Sequence, residues 1–142
     1  MNKLKLLAIA TQPKYGDDGR WMGAEICANL ETESDDPKYL GLHRICMNIE
    51  ISRDMALAVA VYGFRDDDTD VLMGRVRATL DMLTSKLPGT DRDAGHIYEV
   101  IRLKLPRFVN KAACKRSYSQ DFRTGEIYEC GNKRTVPVCR EQ

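Results

Sequence analysis

Apolar and polar residues alternate with period two over three stretches of the chain, and this sets the first expectation. In Arg20–Glu31, Met22, Ala24, Ile26, Ala28 and Leu30 fall on one side, with Glu25, Asn29 and Glu31 on the other. His43–Ile51 repeats the pattern with Ile45, Met47, Ile49 and Ile51. His96–Leu105 is read the same way, through Ile97, Ile101, Leu103 and Leu105. Successive side chains of a strand point to opposite faces, so each stretch reads as a half-buried strand. Lys3–Thr11 precedes them as a further strand, and Gln12–Gly19, rich in Pro, Gly and Asp, forms the turn after it.

Between Val71 and Leu87 the period changes. Leu72, Val76, Thr79, Leu80, Leu83 and Leu87 share a helical face, opposite Arg75, Arg77, Asp81, Ser85 and Lys86. Thr69 or Asp70 can cap the start of this amphipathic helix, and Pro88-Gly89 ends it. The stretch before it, Met55–Phe64, suits a helix by its alanines and a strand by its valines; the strand just before the tight reversal at Ser52-Arg53-Asp54, and Gly63 near its end, favour a strand. Pro106 opens a short helix over Arg107–Arg116, and Tyr118–Phe122 and Glu126–Cys130 form a hairpin about Arg123-Thr124-Gly125. Thr135–Cys139 reads as a last strand, confined to an edge by Pro137. The sum is an α+β domain: an antiparallel or mixed sheet of five to seven strands, carrying one long amphipathic helix and one short helix. At 142 residues it is read as one domain over 1–142, with a basic helix–hairpin segment at 102–142.

Charge sharpens this picture. Residues 1–101 hold 12 Lys and Arg against 17 Asp and Glu, whereas residues 102–142 hold 10 against 4. A basic tail on an acidic body points to an oriented contact with a polyanion or an acidic protein face, or to attraction between tail and body. Within the tail, Lys115, Arg116, Arg123, Lys133 and Arg134 are suited to phosphates or carboxylates, and Tyr118, Phe122 and Tyr128 to stacking. These eight residues form the candidate binding set. No run of apolar residues is long enough for a membrane span, and the apolar part of the N-terminus is shorter than a secretory core.

Five cysteines, at 27, 46, 114, 130 and 139, are an odd and scattered number, so the thiols are expected to be mostly reduced and the chain cytoplasmic. Structural zinc sites space two ligands two to four residues apart; the tail spaces its cysteines by sixteen and nine positions and holds no histidine. The acidic run Asp66, Asp67, Asp68 and Asp70 has the oxygen ligands for a divalent cation, with Glu50 as a further donor, but its place before a helix suits capping. His43 and His96 lack the hydroxyl neighbour that paired phosphodiesterase motifs carry, and no phosphate loop, dinucleotide fingerprint or nucleophile elbow occurs.

The reading is therefore a small non-catalytic binding or regulatory protein. It would dock on a macromolecular partner, a protein or a nucleic-acid-handling complex, through its basic C-terminal segment, with neither cofactor nor metal. Direct nucleic-acid contact and homo-oligomerisation are further partner forms of this reading. Its alternatives are a metal-dependent phosphodiester or nucleotide hydrolase using Asp66–Asp70, and a small-ligand sequestering protein.

Overall fold

The computed structural model describes residues 1–36 and 44–131. Its described residues form an α+β structure with a five-stranded antiparallel sheet and three helices. In chain order these are β1 (Lys3–Tyr15), β2 (Trp21–Glu33), β3 (Arg44–Ser52), α1 (Arg53–Tyr62), α2 (Asp66–Lys86), α3 (Asp91–Ala113), β4 (Arg116–Asp121) and β5 (Ile127–Gly131). The strands lie in the order β3-β2-β1-β4-β5.

The alternation of β2 and β3 becomes one buried sheet face. Ala24 pairs with Ile51, Ile26 with Ile49 and Ala28 with Met47, and all six are buried. Met22 departs from the expectation: it is exposed, and Trp21 is buried in its place. A register shift explains the change, because Lys14 pairs with Gly23 while Tyr15 pairs with Trp21, leaving Met22 as an extra residue. Gly23 sits there at φ 138°, and a Cβ on it would lie 2.3 Å from the Ile51 carbonyl oxygen. Only glycine fits that approach.

Two expected strands are helices. Met55–Phe64 lies largely in α1, whose start is capped by the Ser52 hydroxyl accepting from the Met55 N–H at 3.2 Å. Ala56, Val59 and Ala60 are buried at helical spacing, while Val61 and Tyr62 face outward. The reversal at Ser52-Arg53-Asp54 is thus a strand-to-helix turn. His96–Leu105 and the short helix expected after it are one 23-residue helix, α3. Its buried residues Ile97, Ile101, Leu105, Phe108 and Ala112 recur every three to four positions, whereas Leu103 is 78% exposed. Pro106 lies inside α3 rather than at its start, where it offers no N–H to the preceding turn. The expectation of one long and one short helix therefore becomes two helices of 21 and 23 residues and one of 10.

All three helices pack on the face of Ile9, Ile26 and Ile49. α3 crosses β1, β2 and β4, α1 lies on β2 and β3, and α2 packs on α3 and β3. Among the described residues the opposite face of the sheet carries no helix, and its side chains are small or polar. Across it, Tyr128, Ser119, Ala10, Cys27 and Asn48 stand on neighbouring strands in that order, from β5 to β3. The expected strand at Thr135–Cys139 lies outside the described residues.

The expectation of mostly reduced thiols is also corrected. Cys27 and Cys46 are disulfide-bonded, and so is Cys114. Chain spacing hides the first pairing, because residues 19 apart meet when β2 and β3 align. Cys27 stands opposite Asn48 and Cys46 opposite Asn29, which brings their Cα atoms to 6.0 Å, inside the usual range for a bridge. Cys130 is a free thiol.

Candidate docking surface

The basic segment is built from the end of α3 and the hairpin β4–β5. α3 stops at Cys114, and Lys115 takes the left-handed conformation at φ 58°, turning the chain into β4. The Lys115 ammonium lies 5.5 Å from the Trp21 ring centroid, so this cation rests on an aromatic face of the body. Gly125, at φ 77°, closes the turn between β4 and β5 as its position suggests.

Strand alternation then divides the hairpin between two faces. Tyr118 points to the helices and is buried, meeting Phe108 edge to face at 5.0 Å. Arg107 and Lys111 of α3 lie 5.7 and 5.3 Å from its ring centroid. Its hydroxyl has no hydrogen-bond partner among the described residues. Glu129 pairs with Tyr118 across the ladder and accepts from Lys111 Nζ at 3.0 Å and Arg116 Nη1 at 2.8 Å. Burial pushes the Glu129 carboxyl up, but the hydrogen bonds from Lys111 and Arg116 outweigh it and hold the group below its ordinary value. Lys111, 5% exposed, was not singled out in the sequence. Its signal is its place in the apolar spacing of α3, between Phe108 and Ala112.

The other cations of the hairpin are also matched. Arg123 grips Asp121 through Nε at 3.1 Å and Nη2 at 3.0 Å, and that contact lowers the aspartate's pKa. Phe122 packs against the core, and its N–H donates to the Leu7 carbonyl at 2.8 Å. Tyr128 is 57% exposed on the open face, and its hydroxyl bonds to Glu126, which raises its pKa. Of the eight candidate residues, Tyr118 is thus part of the core, and Lys115 and Phe122 are half-buried. Arg116 and Arg123 are paired with carboxylates, Tyr128 is open to solvent, and Lys133 and Arg134 lie outside the described residues.

Beside Tyr128 the sheet forms a shallow trough of about 430 Å³, lined by Ala10, Gln12, Ser117, Ser119, Tyr128 and Cys130. Glu129 also borders it but holds its carboxylate on Lys111 and Arg116, so the remaining floor is small and uncharged, and an exposed aromatic stands at its edge. A cleft of about 600 Å³ at the ends of β1–β3 is lined by Lys14, Tyr15, Met22, Glu50, Ser52 and Arg75. Its cations are occupied: Lys14 bridges Glu50 at 3.1 Å and Glu25 at 3.5 Å, and Arg75 donates to the Glu50 carbonyl oxygen at 3.3 Å.

The acidic run opens α2. Asp66, Asp67 and Asp68 occupy the first turn, and Asp68 accepts from the Arg65 N–H at 3.3 Å and pairs with its guanidinium. These carboxylates face the positive end of the helix dipole. The helix starts three residues earlier than Thr69, so neither Thr69 nor Asp70 is its cap. Among the described residues no three His, Cys, Asp or Glu side chains converge to hold a metal ion. His96 is exposed on α3, and His43 lies outside the described residues. No described helix is long and apolar enough to cross a membrane. Comparison with protein-family models, with curated proteins and with solved structures found no match.

Proposed function

We propose that this chain is a small non-catalytic binding or regulatory protein that docks on a macromolecular partner through hairpin β4–β5 and the open sheet face beside it. One observation carries the reading: Tyr128 stands exposed over a floor of Ala10, Ser117 and Ser119 on a sheet face without a helix among the described residues. An aromatic anchor beside a flat, neutral, small-residue floor suits a protein surface. The charges favour the same class of partner. Arg116, Arg123 and Lys111 are spent on Glu129 and Asp121, and Lys115 lies on Trp21, which leaves this part of the segment poor in cations for phosphates.

Ser119→Arg tests the reading, because it fills the trough with a side chain that points away from the core. It should abolish capture of the partner, as should Tyr128→Ala, while the thermal transition stays in place. Capture unchanged by both substitutions contradicts the proposal. A complex that resists a rise from 50 to 200 mM salt supports a protein partner, and a steep fall supports nucleic acid instead. A cytoplasmic location belongs to this proposal only if the bonds of Cys27, Cys46 and Cys114 are all redox-active, since structural disulfides belong to oxidising compartments.

A further inference from the structure

Cys27 and Cys46 stand on the open sheet face beside two amide oxygens placed to accept from their reduced thiols. Cys46 is exposed and Cys27 half-buried, so a reductant reaches the bond from solvent. Two asparagines complete a square with them, because Cys27 is opposite Asn48 and Asn29 is opposite Cys46. Asn29 Oδ1 lies 3.6 Å from the Cys27 sulfur, and Asn48 Oδ1 lies 3.5 Å from the Cys46 sulfur. With the bond closed these sulfurs have no proton to give. Opened, each thiol has an amide oxygen ready to accept from it.

The position of the bond decides what it controls. β3 is the outermost strand of the sheet in the described residues, paired on one side to β2. Beyond the bridge only two pairs remain in this ladder, Leu30 with Ile45 and Glu31 with Arg44. On the near side Met47, Ile49 and Ile51 are buried under the helices and hold the rest of β3 independently of the bridge. The end of an edge strand is where local opening costs least.

We infer that Cys27–Cys46 is a redox switch that fastens and releases the Arg44–Cys46 end of β3 without unfolding the sheet. A dithiol reductant drives the opening step. One of its thiolates attacks the Cys46 sulfur, the S–S bond breaks, and Cys27 leaves as a thiolate. The reductant's second thiolate then displaces Cys46 from the mixed disulfide. The reductant ends as its own disulfide, and two protons are taken up by Cys27 and Cys46. The switch lies on the same sheet face as Tyr128 but rests on none of the docking argument.

Hydrogen exchange of the full chain with and without dithiothreitol, followed by alkylation and peptide mapping, tests it. Under native conditions dithiothreitol should expose Cys27 and Cys46 to alkylation, whereas Cys114, itself disulfide-bonded and buried, should stay unlabelled. Amides of 44–46 should then exchange about tenfold faster, with those of α3 unchanged. The double variant Cys27→Ser, Cys46→Ser keeps hydroxyl donors for the two asparagines. It should show the fast exchange in both conditions and a thermal midpoint lower by about 5–10 °C. Alkylation of Cys27 and Cys46 without reductant, a bond that resists dithiothreitol, or reduction that leaves exchange unchanged would each overturn the inference.

Discussion

Tyr118 is buried although it belongs to the basic hairpin. A tyrosine between Ser117 and Ser119 in a basic segment reads as a stacking side chain, yet strand alternation turns it onto Phe108. Its buried hydroxyl lacks a partner, and an unpaired buried hydroxyl costs stability. Tyr118→Phe is therefore expected to raise stability by about 1 kcal/mol in urea denaturation, whereas Tyr118→Ala should lower it by about 3 kcal/mol or more. Glu129 gives a second test. Glu129→Gln leaves Lys111 buried beside Arg116 with no carboxylate between them. The loss should be about 2 kcal/mol, below the usual range for a broken buried pair because a third of the Glu129 side chain still meets water. The folded-state pKa of Glu129 lies below its unfolded value, so its contribution is complete above the unfolded carboxylate pKa and is lost as pH falls through the folded one. Unfolding free energy measured across the acid range should fall less steeply in Glu129→Gln than in the natural chain.

At the scale of elements, β2, β3, α2 and the hairpin β4–β5 could be read from the chain, because in each the apolar period is clean. Ala24, Ile26, Ala28 and Leu30 admit only a strand, and Leu72, Val76, Leu80 and Leu83 only a helix. α3 could not be read in this way because Leu103 and Leu105 supply a false alternation across Ile101, and Pro106 marks a false boundary. Four-residue spacing from Ile97 to Leu105 was the true signal. α1 was hidden by its valines, which suit strands, although Ser52 three residues before Met55 is a cap signal. Ser52→Ala should accordingly cost about 1 kcal/mol, seen as a lower denaturation midpoint. Gly23→Ala should cost roughly 2 kcal/mol or more, since the added Cβ meets the Ile51 carbonyl at a backbone angle that disfavours any side chain.

For the molecule as a whole, the charge layout was legible and its meaning was not. The excess of Lys and Arg after residue 101 can be counted, but counting cannot tell a cation that faces solvent from one already paired. In the hairpin, alternation puts Arg116 beside Glu129 and the turn puts Arg123 beside Asp121, which turns a basic patch into ion pairs. The same alternation leaves Tyr128, Ser119 and Ala10 side by side on the open face, a grouping from three strands that no local motif announces. The proposed docking therefore runs through this face rather than through a phosphate-binding tail. A photo-crosslinking amino acid placed at Tyr128, and separately at the exposed Tyr62 of α1 on the helix side, tests it most directly. Position 128 should give a discrete adduct with one partner protein and position 62 none; adducts from position 62 alone, equal adducts from both, or none from either would overturn docking through this face.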